Sequence, residues 1–232
     1  MSIPPCSSTR SGGSAWPGSS SNADSVNVIV FFAVKEEGRF FHPPEGCTVH
    51  LTKMGERPAR TAAENVLASS RPVHVLTCGF AGGLNPALRT GTVIFEAEDK
   101  RVASALREFG AVPVKFHCLP RVATSRAEKS VLRDQTGADA VEMESGIIRQ
   151  ICRQRGIPST TLRVISDAAD EDLPLDFNAL MTPGGDLRMG GFIRQVAFHP
   201  ERWGALWGLQ KTTALAARAL GGTLESLLRR LG

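Results

Sequence analysis

Between Val26 and Leu228, short apolar, β-branched runs alternate with segments whose apolar positions recur every three or four residues. The first pattern predicts buried strands and the second one face of a helix. Val28–Val34 predicts a strand, Ala59–Ser69 a helix, and Val73–Leu76 a second central strand leading into the glycine loop CGFAGG. Thr92–Glu96 predicts a strand, Arg101–Phe109 a helix with Val102, Leu106 and Phe109 on one face, Val112–Cys118 a strand and Ser125–Arg133 a helix. Val141–Arg155 has helical periodicity, and Thr160–Ile165 reads as a strand halted at Ser166-Asp167. From Gly190 the chain turns helical, with Leu220, Leu224, Leu227 and Leu228 among its apolar positions. Strands alternating with helices build a mainly parallel sheet covered on both faces. The expected architecture is therefore an α/β domain over 26–232, with helices on both faces of a mainly parallel sheet. The serine-rich residues 1–25 contain no apolar block and are expected to form a disordered leader.

Composition narrows the function classes. The 232 residues, 42% hydrophobic, are enough for one sizeable core and too few for two full domains. A net charge of +4, with no basic stripe or aromatic array, gives no reason to expect a nucleic-acid partner. No stretch reaches the roughly 18 apolar residues of a transmembrane segment. Five widely spaced cysteines without a CxxC pair argue against a disulfide framework or a zinc site and point to a reducing cytoplasm. The five histidines show no HxxxH or HExxH spacing, so no metal is expected.

Chemistry concentrates at four strand ends, where open parallel sheets place their ligands. AVKEEG ends a strand in two carboxylates, of which Glu37 is the candidate for a pocket; an ordinary charged helix start is the plainer alternative. In CGFAGG, Phe80, Ala81 and Gly82 offer backbone N–H groups to a ring or an anion, or form a tight turn, and the loop fits neither GxGxxG nor GxxxxGK[ST]. In AVEMES, Glu142 and Glu144 carry paired carboxylates around Met143, suited either to a diol or to a buried polar network. In RVISDAAD, Asp167 follows a buried strand, where desolvation favours a proton-donating carboxyl, with helix capping by Ser166 or Asp167 as the rival.

These four segments, in this order, resemble the purine nucleoside phosphorylase and nucleosidase superfamily. The resemblance spans about Val26 to Leu228. It is nearest the branch that holds 5'-methylthioadenosine/S-adenosylhomocysteine nucleosidase, futalosine hydrolase and adenosylhopane nucleosidase. It implies a single-domain α-β-α, nucleoside phosphorylase-like fold with a twisted, mainly parallel mixed central sheet, a small-molecule purine nucleoside substrate, a homodimer and no cofactor. It assigns Glu37 to the attacking water, Asp167 to N7 of the departing purine with Ser166 orienting it, Glu144 to the ribose hydroxyls and Met143 to the wall beneath the sugar. Glu142 shares the motif with a less defined role, and backbone groups near Val122 and Ala123 are candidates for the base edge.

Departures from the family pattern bear on the substrate. Phe80 stands where related loops carry a small hydroxyl residue, the interval from Gly83 to Glu142 is shorter, and 120–129 lacks the segment that shapes the base and 5' pockets. A modified, bulkier 5' substituent on an adenosine derivative is the resulting expectation. Hydrolysis is favoured because a carboxylate such as Glu37 activates neutral water and repels phosphate. Phosphorolysis, with inorganic phosphate as co-substrate held by Gly55, Arg57 and Arg60, is the alternative; a catalytically silent nucleoside-binding protein is another.

Overall fold

The structure, a computed structural model of the chain, describes residues 27–182, 184–186 and 203–231. Strand β1 (Val28–Phe32) is buried on both sides, and its alternation sets the layers. Val28, Val30 and Phe32 enter one apolar cluster, while Ile29 and Phe31 enter another. On the first face lie α2 (Lys100–Glu108) and the long C-terminal helix α6 (Trp203–Leu231). They contribute Val102 and Leu106, and Ala216, Leu220, Leu224, Leu227 and Leu228, to the core. On the second face lie α1 (Glu56–Ser69), through Ala59, Ala63 and Leu67, and α4 (Ser145–Gln154), through Ile147, Ile148 and Ile151. The result is the α-β-α layering that the sequence pattern predicts.

The remaining strands are β2 (Cys47–Leu51), β3 (His74–Gly83), β4 (Val93–Ala97), β5 (Val112–Pro113), β6 (Phe116–Cys118), β7 (Ala140–Glu142) and β8 (Ser159–Asp167). The sheet order is β2-β1-β3-β8-β4-β5, with β7 attached to the end of β3 and β6 to β7. Pairings are parallel except β3 with β7 and β4 with β8, which makes the sheet mixed. Helices α3 (Arg126–Thr136) and α5 (Phe177–Leu180) complete the described elements.

Four sequence expectations change. The helical reading of Val141–Arg155 is wrong at its start, because Ala140–Glu142 pairs as a strand with β3 and β6 and the helix begins at Ser145. Glu142 makes that switch abrupt: its carboxylate accepts from the backbone N–H of Glu144 and Ser145 and from the Ser145 hydroxyl, satisfying donors a helix start leaves unpaired. CGFAGG is no tight turn but the continuation of β3 to Gly83. The single strand expected over Val112–Cys118 is two fragments with different partners, since Pro113 brings no ladder donor and the chain crosses from β4 to β7. The edge strand β2 carries no clear apolar alternation and was not foreseen. The expected leader at 1–25 and the residues 190–202 of the expected C-terminal helix lie outside the described residues.

Candidate active site

The C-terminal ends of β1, β3 and β8, parallel neighbours in mid-sheet, converge on one cluster of charged side chains. At its centre is Arg163 of β8, about 1% exposed. Its Nη2 donates to Glu142 Oε2 at 2.7 Å and Glu144 Oε2 at 3.3 Å, its Nη1 donates to the Cys78 carbonyl at 3.2 Å, and Nη1 lies 4.0 Å from Glu37 Oε1. Sequence reasoning missed Arg163. Its signal was a lone cation among the apolar residues Leu162, Val164 and Ile165 of a buried strand, a residue type seldom buried unless paired.

Glu37 sits in the turn after β1, where Ala33 N and Val34 N donate to Oε2 at 2.7 and 3.1 Å, and Phe80 N donates to Oε1 at 3.0 Å. Of Phe80, then, the backbone N–H serves this cluster, while the ring packs against the core on the α2/α6 face. Gly79 is required here: a Cβ at this position would collide with Arg163 Nη1 and Glu37 Oε1. Gly55, at φ +99°, turns its N–H onto Glu144 Oε1 at 2.9 Å and lies beside the Met143 methyl group.

Three carboxylates around one guanidinium cannot all stay ionised out of water. Burial pushes the Glu37 carboxyl above its ordinary value, against the pull of Arg163 and the three N–H groups. Burial likewise raises Glu144 to about 7, opposed by Arg163 and reinforced by the neighbouring Glu142 and Glu37. Glu142 goes the other way: burial alone would raise it, but Arg163, Cys118 and the N–H groups of Ser145 and Glu144 outweigh that and lower it. Both Glu142 oxygens are engaged within the protein, so its carboxylate holds Arg163 and the α4 start in place.

A second polar group lies where β8 meets Gly82. The β3–β8 register shifts between Ala81 and Gly82, leaving Ser166 out of register and setting Asp167 opposite Gly82; such bulges re-aim side chains at sheet ends. The Ser166 hydroxyl donates to Asp167 Oδ1 at 2.6 Å, with the Ala81 carbonyl 3.3 Å away. The surroundings of Asp167 are not simply apolar, as sequence reasoning had it: Lys129 of α3, fully buried, places Nζ 2.5 Å from Oδ2. Nothing in the sequence pattern of α3 marks Lys129 as an inward-facing residue.

The remaining candidates fall elsewhere. Arg57 and Arg60 stand on the exposed side of α1, and Arg60 pairs with Glu56 and Glu64. Val122 has its N–H donated to Asn178 Oδ1 at 2.8 Å and its carbonyl occupied by Asn178 Nδ2 at 2.9 Å, while Ala123 is buried against Leu84 and Val141. The acidic stretch after β8 is tied down: Asp170 pairs with Arg89, Glu171 with the Ala168 N–H and the Thr90 hydroxyl, and Asp172 with the Arg126 N–H.

Comparison with known proteins places these features in context. The family model described as "Phosphorylase superfamily" matches residues 96–183. A 5'-methylthioadenosine/S-adenosylhomocysteine nucleosidase of Glaesserella parasuis serovar 5 (strain SH0165) is 25% identical over 162 residues, covering 55% of this chain and 70% of that protein. Among solved structures, the futalosine hydrolase of Helicobacter pylori strain 26695 superposes with a TM-score of 0.63 at 17% identity, over 88% of this chain and 98% of that one. An MTA/SAH nucleosidase from Colwellia psychrerythraea 34H, in complex with adenine, gives a TM-score of 0.65 at 14% identity, over 90% and 96%.

Proposed function

The phosphorylase superfamily model matches residues 96–183, and from that premise we propose that the chain is a nucleosidase of that superfamily. It hydrolyses the N-glycosidic bond of an adenosine derivative modified at its 5' position, releases adenine, and works in the cytoplasm as a homodimer. One observation carries the catalytic reading: two separately held carboxyl groups flank a single strand. Gly79 of β3 packs against Glu37, and Gly82, three residues on, against Asp167. The two glycines lie about 10 Å apart along the strand, so the two carboxyl groups belong to separate stretches of β3, and we read Glu37 as serving the sugar and Asp167 the base.

Cleavage leaves an oxocarbenium-like sugar and an electron-rich base, so charge must be met at both ends. Glu37, made more basic by burial, is suited to take a proton from water attacking the anomeric carbon. Glu144 is suited to the ribose hydroxyls, Met143 to the apolar face of the sugar, and Asp167 to N7 of the base. The unlike surroundings of Glu37 and Asp167 support a division into base and acid. Water rather than phosphate is supported because the Gly55 N–H is engaged by Glu144 and Arg60 is paired on the surface. The dimer and the 5' substituent are read from the family resemblance.

The test is product analysis by mass spectrometry over adenosine derivatives with small and long apolar 5' groups, with and without phosphate. The expected outcome is free adenine independent of phosphate, with rates lowered by a factor on the order of 100 or more in Glu37→Gln and Asp167→Asn. Sugar-1-phosphate would make the protein a phosphorylase, and binding without turnover would make it a nucleoside-binding protein.

A further inference from the structure

Lys129 is a buried cation beside Asp167 that the proposed chemistry leaves without a task. Its side chain is fully buried, Nζ donates to the Ala168 and Glu171 carbonyls at 2.8 Å each, and it lies 2.5 Å from Asp167 Oδ2 as an ion pair. An ammonium is rarely buried unless paired. The two carbonyls would fix the 168–171 segment by themselves; the third contact reaches the carboxyl that faces Gly82. Asp167 thus has a hydroxyl donor on one oxygen and a cation on the other.

We propose that Lys129 is a positioning residue of the reaction, and that the acid serving the departing base is the Lys129–Asp167 pair rather than Asp167 alone. This rests on the nucleosidase reading above. As the C1'–N9 bond breaks, its electron pair goes to the base and N7 takes a proton through Asp167, whose charge Lys129 balances. The new C1'–O bond forms from water, whose proton passes to Glu37, and solvent restores both groups to their starting protonation. The helix supplying Lys129 is anchored for the purpose: Ser125 caps α3 by accepting from the Glu128 N–H, and Glu128 reaches back to the Thr124 N–H.

The experiment compares the full chain with Lys129→Met, Asp167→Asn and the double variant, following adenine release against pH and, by calorimetry, adenine binding, which needs no turnover. Lys129→Met is expected to lower kcat on the order of 100-fold with KM nearly unchanged and to move the pH–rate profile. It is also expected to weaken adenine binding by about tenfold. In the Asp167→Asn background the same substitution is expected to change neither quantity, because it acts through the carboxyl. Equal losses in both backgrounds with an unmoved pH profile would reduce Lys129 to a loop clamp and overturn the proposal. If the wild type releases no base, the nucleosidase reading fails, and adenine binding that depends on Lys129 only when Asp167 is present still supports the pair. Adenine binding indifferent to Lys129 overturns it whatever the turnover.

Discussion

At the scale of the residue, one guanidinium organises three carboxylates, and pH dependence follows from that inequality. Glu144 takes up its proton at about 7 in the folded chain against an ordinary value of 4.5. Between those values the folded state binds more protons than the unfolded one, so stability falls as pH rises across the interval. The contribution is whole below 4.5 and gone above about 7. Glu37 acts in the same sense, whereas Glu142, shifted downward, contributes stability that is lost only in acid. Denaturant midpoints measured across this range are expected to decline in the wild type and to flatten in Glu144→Gln. Gly79→Ala places a methyl group against Glu37 and Arg163 and is expected to cost about 1–3 kcal/mol in denaturant unfolding. Glu37, Glu142, Glu144 and Asp167 were legible because carboxylates at strand ends stand out against an apolar background. Arg163 and Lys129 were not, since a cation reveals its burial only once its partners, 19 to 39 residues away or more, are known.

Element-scale stability rests on how helices cover the sheet. Helix α6 lays Leu220, Leu224, Leu227 and Leu228 onto the face formed by Val28, Val30, Phe32, Leu162 and Val164. Leu224 is fully buried, and Leu224→Ala is expected to destabilise by about 2–5 kcal/mol. KM for the nucleoside should stay unchanged, because this layer lies on the side of the sheet away from Glu144 and α4; thermal unfolding and kinetics on one preparation check both. The order of strands and helices was legible because a strand buried on both faces is a continuous apolar run. What failed were the switches: the three-residue strand β7 is too short to show a period of two, and the apolar positions of α4 extend their own periodicity back over it. The edge strand β2, half exposed, presents no buried row to read.

For the whole molecule, the candidate site is assembled from segments far apart in the chain: the turn holding Glu37, Gly55, the end of β3, Lys129, the β7–α4 junction and the end of β8. No element supplies it alone, so the site exists only while the central sheet does. Apart from that cluster, the Asn178 carboxamide makes a two-point hydrogen bond to Val122 N–H and C=O. A carboxamide presents one acceptor beside one donor, the same pattern as the N1 and N6 edge of adenine. Any ligand that reads Val122 in that way meets an intramolecular competitor already in place, tethered by its own backbone and present at high effective concentration. Its apparent affinity is then the intrinsic one scaled by the fraction of molecules in which Asn178 has swung aside, so an inhibitor built to leave Val122 alone escapes that discount.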